Sequence, residues 1–144
     1  MKRDVDDSPS RALLRPRVFF GVLALGTIAL GLGVHWRGDV LGSVPRDMLG
    51  DGIWAAMIVW CVAALAPSAP VRDRTLVALG ICFAVELSQL YHTPALDAAR
   101  RTSIGELTLG SGFDPRDLLS YALGVLAAVL FDQAVRRRLR RAPQ

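Results

Sequence analysis

Six side chains in this 144-residue sequence could do chemistry together: Asp51, Glu86, Gln89, Arg100, Asp117 and Tyr121. Glu86 and Gln89 are spaced i, i+3, and Asp117, Ser120, Tyr121 and Gly124 follow i, i+3, i+4, i+7, so each set shares one helical face. A partly buried carboxylate beside a solvated one can divide acid and base roles between them. A planar guanidinium can clamp a carboxylate, or hold an external carboxylate or phosphate in bidentate fashion. The set suits a pocket for a polar head group. It also suits proton abstraction by Glu86 or Asp117, with Arg100 steadying an anion. Either use requires that the chain bring the six residues to one place.

The elements that must do so are membrane helices. Apolar residues make up 52% of the chain, mean hydropathy is +0.36 and only 21% of residues are charged, too oily for an ordinary soluble protein. Nineteen residues without Asp, Glu, Lys or Arg separate Arg17 from Arg37, and twenty separate Asp51 from Arg72. Each gap is near the ~20 residues that cross a bilayer. The gap from Arg74 to Glu86 is eleven and that from Asp117 to Asp132 fourteen, lengths that alone would also fit buried soluble helices. Admitting Glu86 into one helix and starting the other at Asp117 predicts four spans, about Val18 to Trp36, Gly50 to Ala66, Thr75 to Tyr91 and Asp117 to Val135. The expected fold is all-α, a four-helix membrane domain over 18–135 between a basic tail, 1–17, and an arginine-rich tail, 136–144.

Summing the loops sets the orientation. With the N-terminus inside, twelve of the seventeen basic residues fall on the cytoplasmic side and five outside, which the positive-inside rule favours. The inner face then carries five acids and the outer face eight, for net charges of +7 and −3 behind the overall +4. That distribution gives the basic balance a membrane meaning, and the C-terminal arginines lack the aromatic interleaving of a nucleic-acid surface. Membrane lipids are the expected partners, and nucleic acid is not. The acidic Asp4, Asp6 and Asp7, and Trp36 where small residues should stand, argue against a cleaved signal peptide. Cys61 and Cys82 fall near mid-membrane as small packing residues.

In this arrangement helix 2 begins at Asp51, helix 3 ends past Glu86 and Gln89, and helix 4 begins at Asp117, so the polar residues converge at the outer end. Simpler roles compete with each. Asp51, between Gly50 and Gly52, can cap helix 2. Asp114-Pro115-Arg116-Asp117 reads as an N-cap, a proline at N1 and an acid at N3, where Asp117 would serve the helix dipole. Ser120, Gly124, Ala127 and Ala128 suit close helix packing. Glu86 facing lipid would be costly, so it must find a partner inside the bundle, for which Arg100 and Arg101 are the candidates. Thr93-Pro94 starts a short helix through Arg100, and 104–113 forms an interfacial lid or a surface hairpin. There is no phosphate loop, serine elbow or paired-histidine motif, so no cofactor and no metal is expected.

Gly50-Asp51, Glu86-Leu87-Ser88-Gln89-Leu90-Tyr91, Arg100 with Thr102 and Gly105, Leu109-Gly110-Ser111-Gly112-Phe113, and Asp117 through Tyr121 to Gly124 carry a resemblance. Together the chain resembles, over about Arg17 to Asp132, the small bacterial membrane proteins of the domain-of-unknown-function family DUF2809. It is also distantly similar to VanZ-like proteins, which pair a Glu-x-x-Gln helix with a downstream Arg and an Asp-led helix, here Glu86, Gln89, Arg100 and Asp117. The VanZ-like Asp is commonly followed by Asn and Gly, where this chain has Ser120 or Tyr121. The resemblance implies a bacterial cytoplasmic-membrane protein of the cell envelope. The expected function is binding of a polar or lipid-linked envelope ligand by Asp51, Glu86, Gln89, Arg100, Asp117 and Tyr121. The alternatives are a membrane-embedded enzyme acting on a lipid-linked substrate, or a structural subunit in which these residues only join helices.

Overall fold

A computed structural model describes residues 9–37, 42–109 and 112–141. Among them the chain forms six helices: α1 (Pro9–Arg37), α2 (Ser43–Leu65), α3 (Val71–Ser88), α4 (Pro94–Arg100), α5 (Ser103–Leu109) and α6 (Pro115–Arg141). Three carry segments long and apolar enough to cross a membrane, Leu14–Arg37, Ser43–Leu65 and Pro115–Arg137, which mark a membrane protein. α3 has 18 residues and carries Arg72, Asp73, Arg74 and Glu86, which keep it out of that class.

The helices are sided in the way a lipid solvent demands. On α6 the large residues Leu119, Leu123, Leu126 and Leu130 are exposed, while Ser120, Tyr121, Val125, Ala128 and Asp132 are buried. Small and polar residues therefore face the bundle and leucines face outward, the reverse of a soluble helix. α1 does likewise with Leu14, Val18, Val22, Leu25 and Leu30 outward and Phe20 and Ala24 inward. α2 is the central element, packing against α1, α3 and α6. Its crossing with α6 brings the two backbones close together at Gly52 and Gly124. A Cβ on Gly124 would overlap the Gly52 carbonyl oxygen and lie 2.7 Å from its carbonyl carbon. Glycine at 124 lets these backbones meet.

Three helix starts differ from the sequence expectation, that of α3 by falling at Val71 and not at Thr75. α1 begins at Pro9 and continues through Pro16, so part of the expected tail is helical. α2 begins at Ser43 after Gly42, whose φ of 78° lies where a Cβ is disfavoured, and not at Gly50. Asp51 thus stands two turns inside the helix and caps nothing. Gly50 and Gly52 resemble a loop in sequence, yet both are helical, and the Gly52 carbonyl is the group that Gly124 of α6 packs against. The short helix after Thr93 is as expected, with the Leu96 N–H donating to Thr93 Oγ1 at 3.2 Å. The following segment is helical in α5, which packs on α4 where Gly105 abuts Ala99. Gly110 and Ser111 of the expected lid lie outside the described residues, as do Asp4, Asp6 and Asp7.

Candidate functional site

The end of the bundle formed by the start of α6, the end of α3 and the first turns of α2 gathers five of the six expected residues. Glu86, in the last turn of α3, is 0% exposed. Its Oε2 accepts from Gln89 Nε2 at 2.9 Å and from the Tyr121 hydroxyl at 3.1 Å. Its Oε1 accepts the backbone N–H of Asp114 at 2.8 Å. A buried carboxylate is tolerated when donors fill its lone pairs, and here three neutral donors from two separate parts of the chain do so. No cation faces it among the described residues.

The Asp114 contact decides what Asp117 can do. Asp114 caps α6: its Oδ1 accepts the Arg116 N–H at 2.9 Å, and Pro115 follows at the first helical position. In a capping box the acid at N3, Asp117, would reach back to the N–H of the capping residue. Glu86 has already taken that proton donor. Asp117 is released and meets Asp51 across the α2–α6 crossing, their carboxyl groups within hydrogen-bonding reach of each other. Neither takes part in an ion pair among the described residues. Tyr121, one turn further along α6, packs its ring on Trp54 of α2 at 5.6 Å between centroids. Beside Asp117 a cleft of about 50 Å³ is lined by Val44, Asp47, Met48, Asp114, Arg116 and Asp117.

Arg100 stands apart from this cluster. It is buried, and its guanidinium donates from Nη2 to the Ser88 carbonyl at 2.7 Å and from Nη1 to the Tyr91 carbonyl at 3.0 Å, with Asp97 Oδ1 at 3.4 Å. The Ser88 carbonyl ends α3 and also accepts the Tyr91 N–H at 3.0 Å, and the Tyr91 carbonyl lies just past the helix, so Arg100 braces that terminus and fastens α4 to it. The pairing with Glu86 or Asp117 considered from the sequence does not form. The removal of this cation leaves an acceptor-rich site: three carboxyl groups, with the Gln89 Oε1 also buried and without a donor. Such a site suits a donor or a positive charge. It does not suit an anion.

Two contributions escape the sequence reading, which gives Asp114 a capping role alone and Trp54 only a place in an aromatic belt near the outer headgroups, with no contact to Tyr121. No periodicity reports that a backbone N–H will be taken by a side chain 28 residues earlier. Among the described residues no group of three or more His, Cys, Asp or Glu side chains is placed to hold a metal ion. Cys61 and Cys82 are free. No solved structure matches the chain. Residues 40–125, more than half of the sequence and all of the cluster, match the family model described as protein of unknown function (DUF2809), and the chain belongs to that family.

Proposed function

We propose that this chain is a four-span protein of the bacterial cytoplasmic membrane with both termini in the cytoplasm, and that its outward end binds the polar head group of an envelope lipid or lipid-linked precursor. α3 is the fourth span: 18 residues at 1.5 Å rise cover about 27 Å, close to the hydrocarbon thickness, and its charges sit in its first and last turns. The orientation rests on the excess of basic residues at the other end. Similarity to VanZ-like proteins is in keeping with an envelope role.

The observation that carries the binding reading is the facing pair Asp51 and Asp117, neither in an ion pair among the described residues, with Asp117 also lining the 50 Å³ cleft beside Arg116. Two carboxyl groups this close hold between them a proton or the positive end of a ligand. An ammonium-bearing head group meets that demand, and Val44 and Met48 would border its apolar part. The enzyme reading is weaker for Glu86, whose oxygens are already occupied by three donors.

Lipids that copurify with the protein, identified by native mass spectrometry, test this reading. Asp51→Asn and Asp117→Asn preserve shape and hydrogen-bonding capacity, so each variant should accumulate normally and lose an amine-bearing lipid by tenfold or more. Retention of the same lipid by the double variant would refute the assignment. Orientation is tested by cysteine labelling in intact cells of a protein freed of Cys61 and Cys82. Thr108→Cys should react with an impermeant maleimide and Arg137→Cys only after lysis; the opposite pattern places the cluster on the cytoplasmic side.

A further inference from the structure

The opposite end of the bundle holds a second charged cluster that the head-group reading does not use. Arg74, in the first turn of α3, is 4% exposed. Its natural partner is Asp132 of α6, but both oxygens of that carboxylate are taken by Arg136, whose Nε donates to Oδ1 at 2.9 Å and Oδ2 at 3.0 Å. Arg74 is left with a long contact, Nη2 to Asp132 Oδ2 at 3.6 Å, and its Nε and Nη1 are buried with no acceptor. Both guanidinium carbons also lie over the Phe20 ring, at 5.4 Å for Arg74 and 5.9 Å for Arg136. One carboxylate therefore serves two guanidinium groups, and one positive charge is unbalanced.

Buried donors without acceptors are costly, and a buried charge without its counter-charge more so. Beside Arg74 is a recess of about 10 Å³ lined by Phe20, Trp60, Val71, Arg74, Thr75 and Asp132. That is room for one water-sized group. Arg136, with its side chain 43% exposed, stands next to it and toward solvent. We infer that this recess receives one oxygen of a phosphate group, with the phosphorus and the remaining oxygens outside it against Arg136. The phosphate supplies the acceptor that Arg74 lacks and the negative charge that the cluster lacks. The ends of membrane helices lie at the depth of lipid phosphates, which makes a phospholipid the nearest source and free phosphate the other.

The test is the thermal unfolding of the purified full-length chain in neutral detergent, with three probes added in turn: phosphatidylglycerol, a galactolipid without phosphate, and inorganic phosphate. Phosphatidylglycerol should raise the unfolding temperature by about 5 °C at a hundredfold excess over Kd, and the galactolipid should not. A matching rise with inorganic phosphate assigns the site to the free anion, and its absence assigns it to the lipid; both support the inference. Arg74→Gln should abolish the rise. Because that variant leaves Asp132 less compensated and can fail to fold, Arg136→Gln provides a second reading and should reduce the rise at least threefold. A variant with Arg137, Arg138, Arg140 and Arg141 all changed to Gln should keep it. Equal rises with phosphatidylglycerol and galactolipid, no rise with any probe, or loss of the rise in the tail variant while Arg136→Gln retains it, would each overturn the site.

Discussion

Gly124→Ala should push α2 and α6 apart, with a loss of about 1–3 kcal/mol or more of stability and a protein that no longer retains a head-group ligand. The added methyl would overlap the Gly52 carbonyl oxygen and sit 2.8 Å from the Gly52 Cα, so the obstacle is backbone and not a side chain that could turn aside. Relief requires the helices to separate along the line that carries Asp51 beside Asp117 and Trp54 beside Tyr121. The effect should therefore be seen twice, as a lowered unfolding temperature and as changed tryptophan fluorescence from Trp54. Gly52→Ala should be milder, because its added carbon meets the Ser120 carbonyl at 3.5 Å, an ordinary contact. Equal losses in the two variants would contradict this account of the crossing.

Glu86→Ala should cost about 3 kcal/mol or more, because it strands three buried donors at once, the Asp114 N–H, the Tyr121 hydroxyl and the Gln89 amide. Glu86→Gln should cost far less, about 1 kcal/mol. The substituted side chain keeps a carbonyl for the Asp114 N–H, and its own NH₂ can donate to the Tyr121 oxygen or to Gln89 Oε1, which now has no donor. Denaturation of the two variants in matched detergent provides the comparison. A general-base role predicts the same stability ranking but a Glu86→Gln variant that is stable and inactive. Here the prediction is that Glu86→Gln keeps ligand, since Glu86 acts by placing Asp114 and thereby freeing Asp117.

How much of this was legible in the sequence differs by residue. The i, i+3 spacing of Glu86 and Gln89 identifies a shared face, and they do hydrogen-bond. Polarity at Tyr121 and Ser120 with a glycine at 124 correctly signals the inward face of α6. Asp51 misleads because Gly-Asp-Gly has the composition of a loop, whereas all three residues lie inside α2, which starts at Ser43. Arg100 misleads because a cation near carboxylates in sequence suggests a salt bridge, whereas the carbonyls at a helix end are an equally good acceptor set. The Arg74 cluster goes unnoticed for a different reason. A span reading assigns Arg74 and Asp132 to the boundary and treats them as orientation signals, and nothing in a charge count distinguishes a flank exposed to water from one that is buried. Asp132 and Arg136 at i, i+4 are a visible pair, but the third member is 58 positions earlier than Asp132.

The manner in which Glu86 is satisfied also governs how the chain enters the membrane. Gln89 is three residues away and is made almost with it, but the Asp114 N–H and the Tyr121 hydroxyl follow 28 and 35 residues later. When α3 leaves the ribosome its carboxylate lacks two of its three donors, and at the far end Arg74 lacks Asp132. α3 is also the long helix with too many charges to qualify as a span by itself. With α3 as the proposed fourth span, its integration is expected to wait on α6, the two helices entering the bilayer as a pair. Translation stopped before Pro115 should then leave α3 at the interface, accessible to impermeant labelling, with α1 and α2 inserted.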